Sequence, residues 1–142
     1  MFLIHPIFQS VGIIIALYVI KLGISRFRIV HLKQKTRFNW KYHVRFGITA
    51  TTIWLVGILG GLYIVKTSWY GLFITGYHAK MAIFLIPFIL FSISSGIYMD
   101  KRKKKRTMLP LIHAISNTVM LLLVLLQIYT GIGVYRTYVL GL

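Results

Sequence analysis

Four of the five histidines in this chain are followed, eighteen residues on, by a glycine: His5 and Gly23, His43 and Gly61, His78 and Gly96, His113 and Gly131. Eighteen residues make five turns of α-helix, so the members of a pair share one helix face, ~27 Å apart along the axis. That length is close to the thickness of a bilayer's hydrocarbon core. Neutral imidazole is a common metal ligand, and a glycine lets another group approach the backbone closely. A ligand near one membrane face and a gap near the other, repeated on four helices, is the pattern that two flat metallocycles would need. Axial ligation of two haems by paired imidazoles, one haem near each face, would explain it.

The elements that must position these residues are four apolar stretches in a chain of 142 residues, 58% of them hydrophobic. Met1 to Ile20 carries no charge and continues past Lys21 to Ile24. Phe46 to Val65 is also uncharged, Met81 to Met99 is the third stretch, and Met108 to Tyr135 is the fourth. Each is long enough to span a bilayer, and the fourth is long enough to tilt or project. The first lacks a basic leader and a small-residue cleavage site, so it reads as a membrane span rather than a secretory signal. The expected fold is an all-α membrane protein, residues 1–142 forming one antiparallel four-transmembrane-helix bundle with short connections.

Net charge is +16, and its distribution sets the topology. Seven Lys/Arg fall between Arg26 and Arg45, and six form the run Lys101 to Arg106. By the positive-inside rule both stretches are cytoplasmic and both termini lie outside, in a bacterial inner or thylakoid-like membrane. The basic charge therefore points to topology and to contact with membrane lipids, not to nucleic acid. The connection from Lys66 to Lys80 is then an outer loop, and its Trp69, Tyr70, Phe73 and Tyr77 suit the interface. There is no cysteine, which excludes disulfides, thiolate catalysis and iron–sulfur clusters. Asp100 is the single acid, so carboxylate-pair chemistry and carboxylate metal sites are excluded too.

Helix direction sorts the histidines into levels. His5 and His78 begin the outward-starting spans and lie near the outer face; His43 and His113 begin the returning spans and lie near the cytoplasmic face. Each pair comes from non-consecutive helices, which can face each other diagonally across a bundle core. Beside the outer pair the other two helices offer Gly61, near Gly57 and Gly60, and Gly131, near Gly133. Beside the inner pair they offer Gly23, and Gly96 with Ser94 and Ser95. The same glycines would also serve ordinary small-residue helix packing. Haem propionates would call for cations: Lys41 and Arg45 flank His43, and Lys80 follows His78, with Lys66 and Arg136 also on the outer side. Pro6 and Pro110 are tolerable near helix starts, and Pro87 is expected to kink the third span. His31 has no partner and reads as a surface residue of the first basic loop. The spacings His5–His43 and His78–His113 suggest a repeat of two hairpins.

With Ile-His-Pro at residues 4–6, Tyr-His-Val-Arg-Phe-Gly at 42–47, Gly-Tyr-His-Ala-Lys at 76–80 and Leu-Ile-His-Ala at 111–114, the chain resembles the cytochrome b561 superfamily. The likeness is closest to its short four-helix cyanobacterial and plastid members, a family of largely undefined function. The resemblance implies the same ligand pairs, His5 with His78 and His43 with His113. Ascorbate-using members have two further flanking helices that this chain lacks, so no substrate motif carries over. The resulting expectation is a dihaem cytochrome passing electrons between a quinol or other donor and an outer-side acceptor or cytochrome, as a subunit beside other membrane proteins. It would have no substrate-conversion site of its own. The alternative is a (bacterio)chlorophyll-binding or structural subunit of a photosynthetic or respiratory complex. A small transporter is disfavoured by the lack of buried acids.

Overall fold

The computed structural model describes residues 2–142; Met1, the first residue of the first expected span, lies outside them. Four helices follow one another: α1 (Ile4–His31), α2 (Trp40–Trp69), α3 (Tyr77–Lys101) and α4 (Met108–Tyr138). All four are long and apolar enough to cross a membrane, and no strand occurs among the described residues. At 1.5 Å per residue they are roughly 37–46 Å long, more than the hydrocarbon core requires.

The extra length comes from the charged flanks. α1 continues through Lys21, Arg26 and Arg28 to His31, so that histidine is the last residue of a helix and not part of a loop. Lys and Arg are good helix formers, and their long stems can lie along a helix while the charges reach water. The true connection is only 32–39. Lys33 turns the chain there with φ 54°, and the Asn39 side chain caps α2 by accepting a hydrogen bond from the Tyr42 N–H at 3.3 Å. At the opposite end α2 stops at Tyr70, which adopts a left-handed conformation, and α3 starts after Gly76 at φ 59°. α3 runs through Pro87 without a break in the helix.

Two hairpins make the bundle. α1 packs along α2, and α3 along α4. α2 joins the hairpins through α3, whereas α4 meets α1 only sparsely. No Cα of α1 comes within 8 Å of α3, nor any of α2 within 8 Å of α4, so these two pairs are the diagonals. Trp54, Ile58, Leu85, Ile89, Leu121 and Val124 form the core, with Ala16, Ala50 and Met120. Counted along each helix, this core lies midway between the two histidine levels. Many large apolar residues, such as Ile14, Leu59, Phe84, Leu90 and Leu122, are exposed on the outside. A surface that apolar is stable against lipid rather than water.

The end carrying both chain termini is closed by aromatic rings. Phe2 stacks on Trp69 with centroids 5.4 Å apart, and Trp69 packs on Tyr138 at 5.0 Å. The Tyr138 hydroxyl donates to the Ile74 carbonyl at 2.6 Å. The other end, the basic end, carries both basic connections.

Candidate functional site

The diagonal helices bring the histidines together in two pairs. His5 of α1 faces His78 of α3 near the terminal end, with ring centroids 6.3 Å apart and planes at 82°. His43 of α2 faces His113 of α4 near the basic end, with centroids 6.4 Å apart and planes at 64°. These are the pairs expected from levels. An imidazole nitrogen sits ~1.1 Å from its ring centre, given ring bonds of about 1.33 Å, and bonds a metal at about 2.0–2.1 Å. Two rings ligating one metal from opposite sides therefore have centres ~6.2–6.5 Å apart. Both observed separations fall within that range.

Each ring also leans on a glycine of its hairpin partner. The Cε1 edge of His5 lies against Gly61, His43 against Gly23, His78 against Gly131 and His113 against Gly96. The sequence pairing of each histidine with a glycine on its own helix thus becomes, in space, a reciprocal exchange between the two helices of a hairpin. Room differs among the four. A Cβ on Gly61 would stand 2.9 Å from His5 Cε1, and one on Gly131 would stand 3.2 Å from His78 Cε1. At Gly23 and Gly96 the same distances are 3.5 and 3.7 Å, ordinary van der Waals contact.

The Nδ1 atoms are held from outside the pair. His43 Nδ1 lies 3.2 Å from the Val19 carbonyl, which can only accept, so Nδ1 carries the proton and Nε2 the lone pair. His113 Nδ1 lies 2.7 Å from Ser95 Oγ. Ser95 gives its own proton to the Phe91 carbonyl, so its oxygen accepts from the imidazole. His78 Nδ1 lies 3.0 Å from Thr130 Oγ1, whose proton goes to Gln127 Oε1 at 2.9 Å. The amide of Gln127 in turn donates to the His78 carbonyl at 3.1 Å. Around His113, Asn117 donates to the His113 carbonyl and accepts from Ser92, both at 2.7 Å. His5 differs. Its Nδ1 is buried without a hydrogen bond, although the Gly57 carbonyl, in the register equivalent to Val19, faces it.

Two rules summarise these contacts. In the α1–α2 hairpin the group facing Nδ1 is a carbonyl four residues before the glycine: Val19 accepts from His43, and Gly57 faces His5 without a hydrogen bond. In the α3–α4 hairpin it is a hydroxyl one residue before the glycine, Ser95 or Thr130. No Nε2 of the four histidines is hydrogen-bonded among the described residues, and none is sealed off. Each pair could therefore hold one metal ion between two imidazole nitrogens, with Val19, Ser95 and Thr130 fixing the tautomer and orientation of the rings they bind. No group of three or more His, Cys, Asp or Glu gathers anywhere among the described residues. Two imidazoles are fewer donors than a metal ion takes, so a metal held by such a pair would need further donors that these residues do not supply.

The remaining candidates are placed as follows. Lys41, Arg45 and Lys80 are exposed on the helix turns that carry His43 and His78. Lys41 rests near the Trp40 ring and Lys80 near the Tyr77 ring, both at 5.9 Å. His31 is exposed and stacks on Phe27 at 4.8 Å, away from the pairs. Sequence reasoning noticed Ser95 only as a small residue and missed Thr130, Gln127 and Asn117. The available signal was their spacing, at Gly131 minus one, Gly131 minus four and His113 plus four, inside otherwise apolar spans. No family model, curated protein or solved structure matches this chain.

Proposed function

We propose that this protein is a dihaem b-type membrane cytochrome that carries electrons across or within the bilayer. His5 and His78 would hold one haem, and His43 and His113 the other. The observation that carries the reading is the geometry of the opposed imidazoles: two diagonal pairs, at separations matching a shared metal, each with Nε2 unengaged. The motif order that resembles the cytochrome b561 superfamily supports it from the sequence side. When bound, the haems supply reversible one-electron chemistry at iron.

The chain's own residues account for the rest. Val19, Ser95 and Thr130 hold imidazole protons on Nδ1 and so leave the lone pair on Nε2. Were each haem held by both imidazoles of its pair, no place would remain at its metal for oxygen or substrate, which supports electron transfer over catalysis. The glycines let the rings seat deeply between helices. Gly61 and Gly131 at the terminal end, and Gly23 and Gly96 at the basic end, lie at the same level as the pair they would help to accommodate. Lys41 and Arg45 at one level, and Lys80 at the other, are the cations available to propionates. Eighteen residues of helix separate the levels, so the two metal positions stand roughly 20–27 Å apart along the normal. The basic end is assigned to the cytoplasm and both termini to the outside by the positive-inside rule. A quinol or other donor, an outer-side acceptor and other membrane subunits are the partners this reading calls for.

A reduced-minus-oxidised visible spectrum with pyridine haemochrome quantification tests it. Two b-type haems per chain is the expected result. Extractable chlorin would favour a pigment-binding subunit, although chlorophyll magnesium takes one axial ligand and the opposed pairs offer two.

A further inference from the structure

A second site stands apart from the histidines at the basic end. Arg26 and Lys33, from the end of α1 and the turn after it, meet Lys105, Arg106 and Thr107, from the connection into α4, around a pocket of about 370 Å³. Segments some seventy residues apart in the chain thus contribute four cations to one space. None of the four has an acidic partner: the only acid, Asp100, is bound to Lys103 at 2.7 Å.

The pocket is built on tethered backbone. Lys33 sits at a left-handed position that ends α1, and its ammonium donates to the Val30 carbonyl at 2.9 Å. Thr36 ties the first connection back to the Ser25 carbonyl at 3.1 Å. In the second connection Lys103 lies over the Trp40 ring at 3.7 Å, and Arg106 lies over Tyr98 at 4.6 Å while donating to the Arg102 carbonyl. Thr107, which also lines the pocket, is the N-cap of α4 and makes no side-chain cap. Like charges held this close repel one another, and a multivalent anion relieves that repulsion. In a membrane-spanning chain the level just beyond the apolar span is that of lipid phosphates.

We infer that this pocket binds the phosphate of an anionic membrane lipid headgroup, held by Arg26, Lys33, Lys105 and Arg106. The inference does not depend on the haem reading. Phosphate chemistry could also come from a soluble anion, so the experiment includes both. The purified full-length protein is incubated with phosphatidylglycerol or phosphatidylcholine of equal acyl length and examined by native mass spectrometry. The wild-type chain should retain one phosphatidylglycerol in clear preference to phosphatidylcholine. K33Q/K105Q should weaken that retention on the order of tenfold or more. K101Q/K104Q removes the same charge from the same end outside the pocket, and should leave the preference unchanged. K105Q alone, at an exposed position, should give an intermediate loss. Equal loss in both double variants would mean a diffuse attraction and would overturn the site. Displacement of the lipid by inorganic phosphate at low concentration would overturn the lipid assignment, and resistance to a large excess of phosphate would support it.

Discussion

At the terminal end a Cβ on Gly61 or Gly131 would press into His5 or His78 at 2.9 or 3.2 Å, whereas at the basic end Gly23 and Gly96 leave 3.5 and 3.7 Å. Hydrogen bonding differs between the ends as well. Both basic-end imidazoles, His43 and His113, have Nδ1 acceptors, but of the terminal-end pair only His78 does. The terminal pair is therefore oriented more by steric confinement, and the basic pair more by hydrogen bonds. Confinement fails when a methyl group is added; a hydrogen bond fails when an acceptor is removed. The same pair of rings can thus be broken in opposite ways at opposite ends.

On the proposed reading, the largest effect should come from removing one imidazole of a pair. His113→Ala should abolish the basic-end haem and spare the terminal one, halving haem per chain in the pyridine haemochrome assay. Equal loss from both sites would show that the rings do not act as separate pairs. Gly61→Ala comes next. Its Cβ must displace the His5 ring or spread α1 from α2, and overpacking of this kind costs about 1–3 kcal/mol. The terminal haem should fall in occupancy while Gly23→Ala leaves both haems in place. Similar spectra for the two variants would erase the contrast in confinement.

Ser95→Ala tests the hydrogen-bonded end. The imidazole N–H of His113 would lose its acceptor, and the loss of such a partner typically costs 10–100-fold in metal affinity. A less basic ligand also stabilises the ferric state less, so the basic-end midpoint potential should rise and the terminal one should stay. A redox titration resolving two potentials reads this directly, and movement of the wrong potential would reassign the pair. The smallest effect should belong to Lys80→Gln. Lys80 is exposed, so charge removal there is screened by solvent and salt. A small downward shift confined to the terminal potential is expected, and a shift of the basic-end potential alone would disconnect Lys80 from the terminal site.

The four spans were legible because each is a long run of apolar residues between charges. Their ends were not. Arg26, Arg28 and His31 look like loop residues beside an apolar run, yet they continue α1, because charge limits the depth of a helix in the membrane and not its length. The histidine pairs were legible from chain direction alone, since two helices starting at one face must bring their first turns to the same level. The glycines were legible as a set but not in their ranking, which rests on tenths of an ångström between Gly61 and His5 on different helices. Ser95 and Thr130 were hidden for the same reason: a hydroxyl becomes an imidazole acceptor only once its neighbouring helix is known.

The central claim is that two diagonal histidine pairs each hold one haem, and double substitution tests it most directly. Haem per chain is measured in the same-pair variant H43A/H113A and in the cross-pair variant H5A/H43A, after both are shown to insert and remain helical. The same-pair variant should keep one haem, and the cross-pair variant should keep none. Equal haem content in the two variants, or a wild-type chain without b-type haem, would contradict the account.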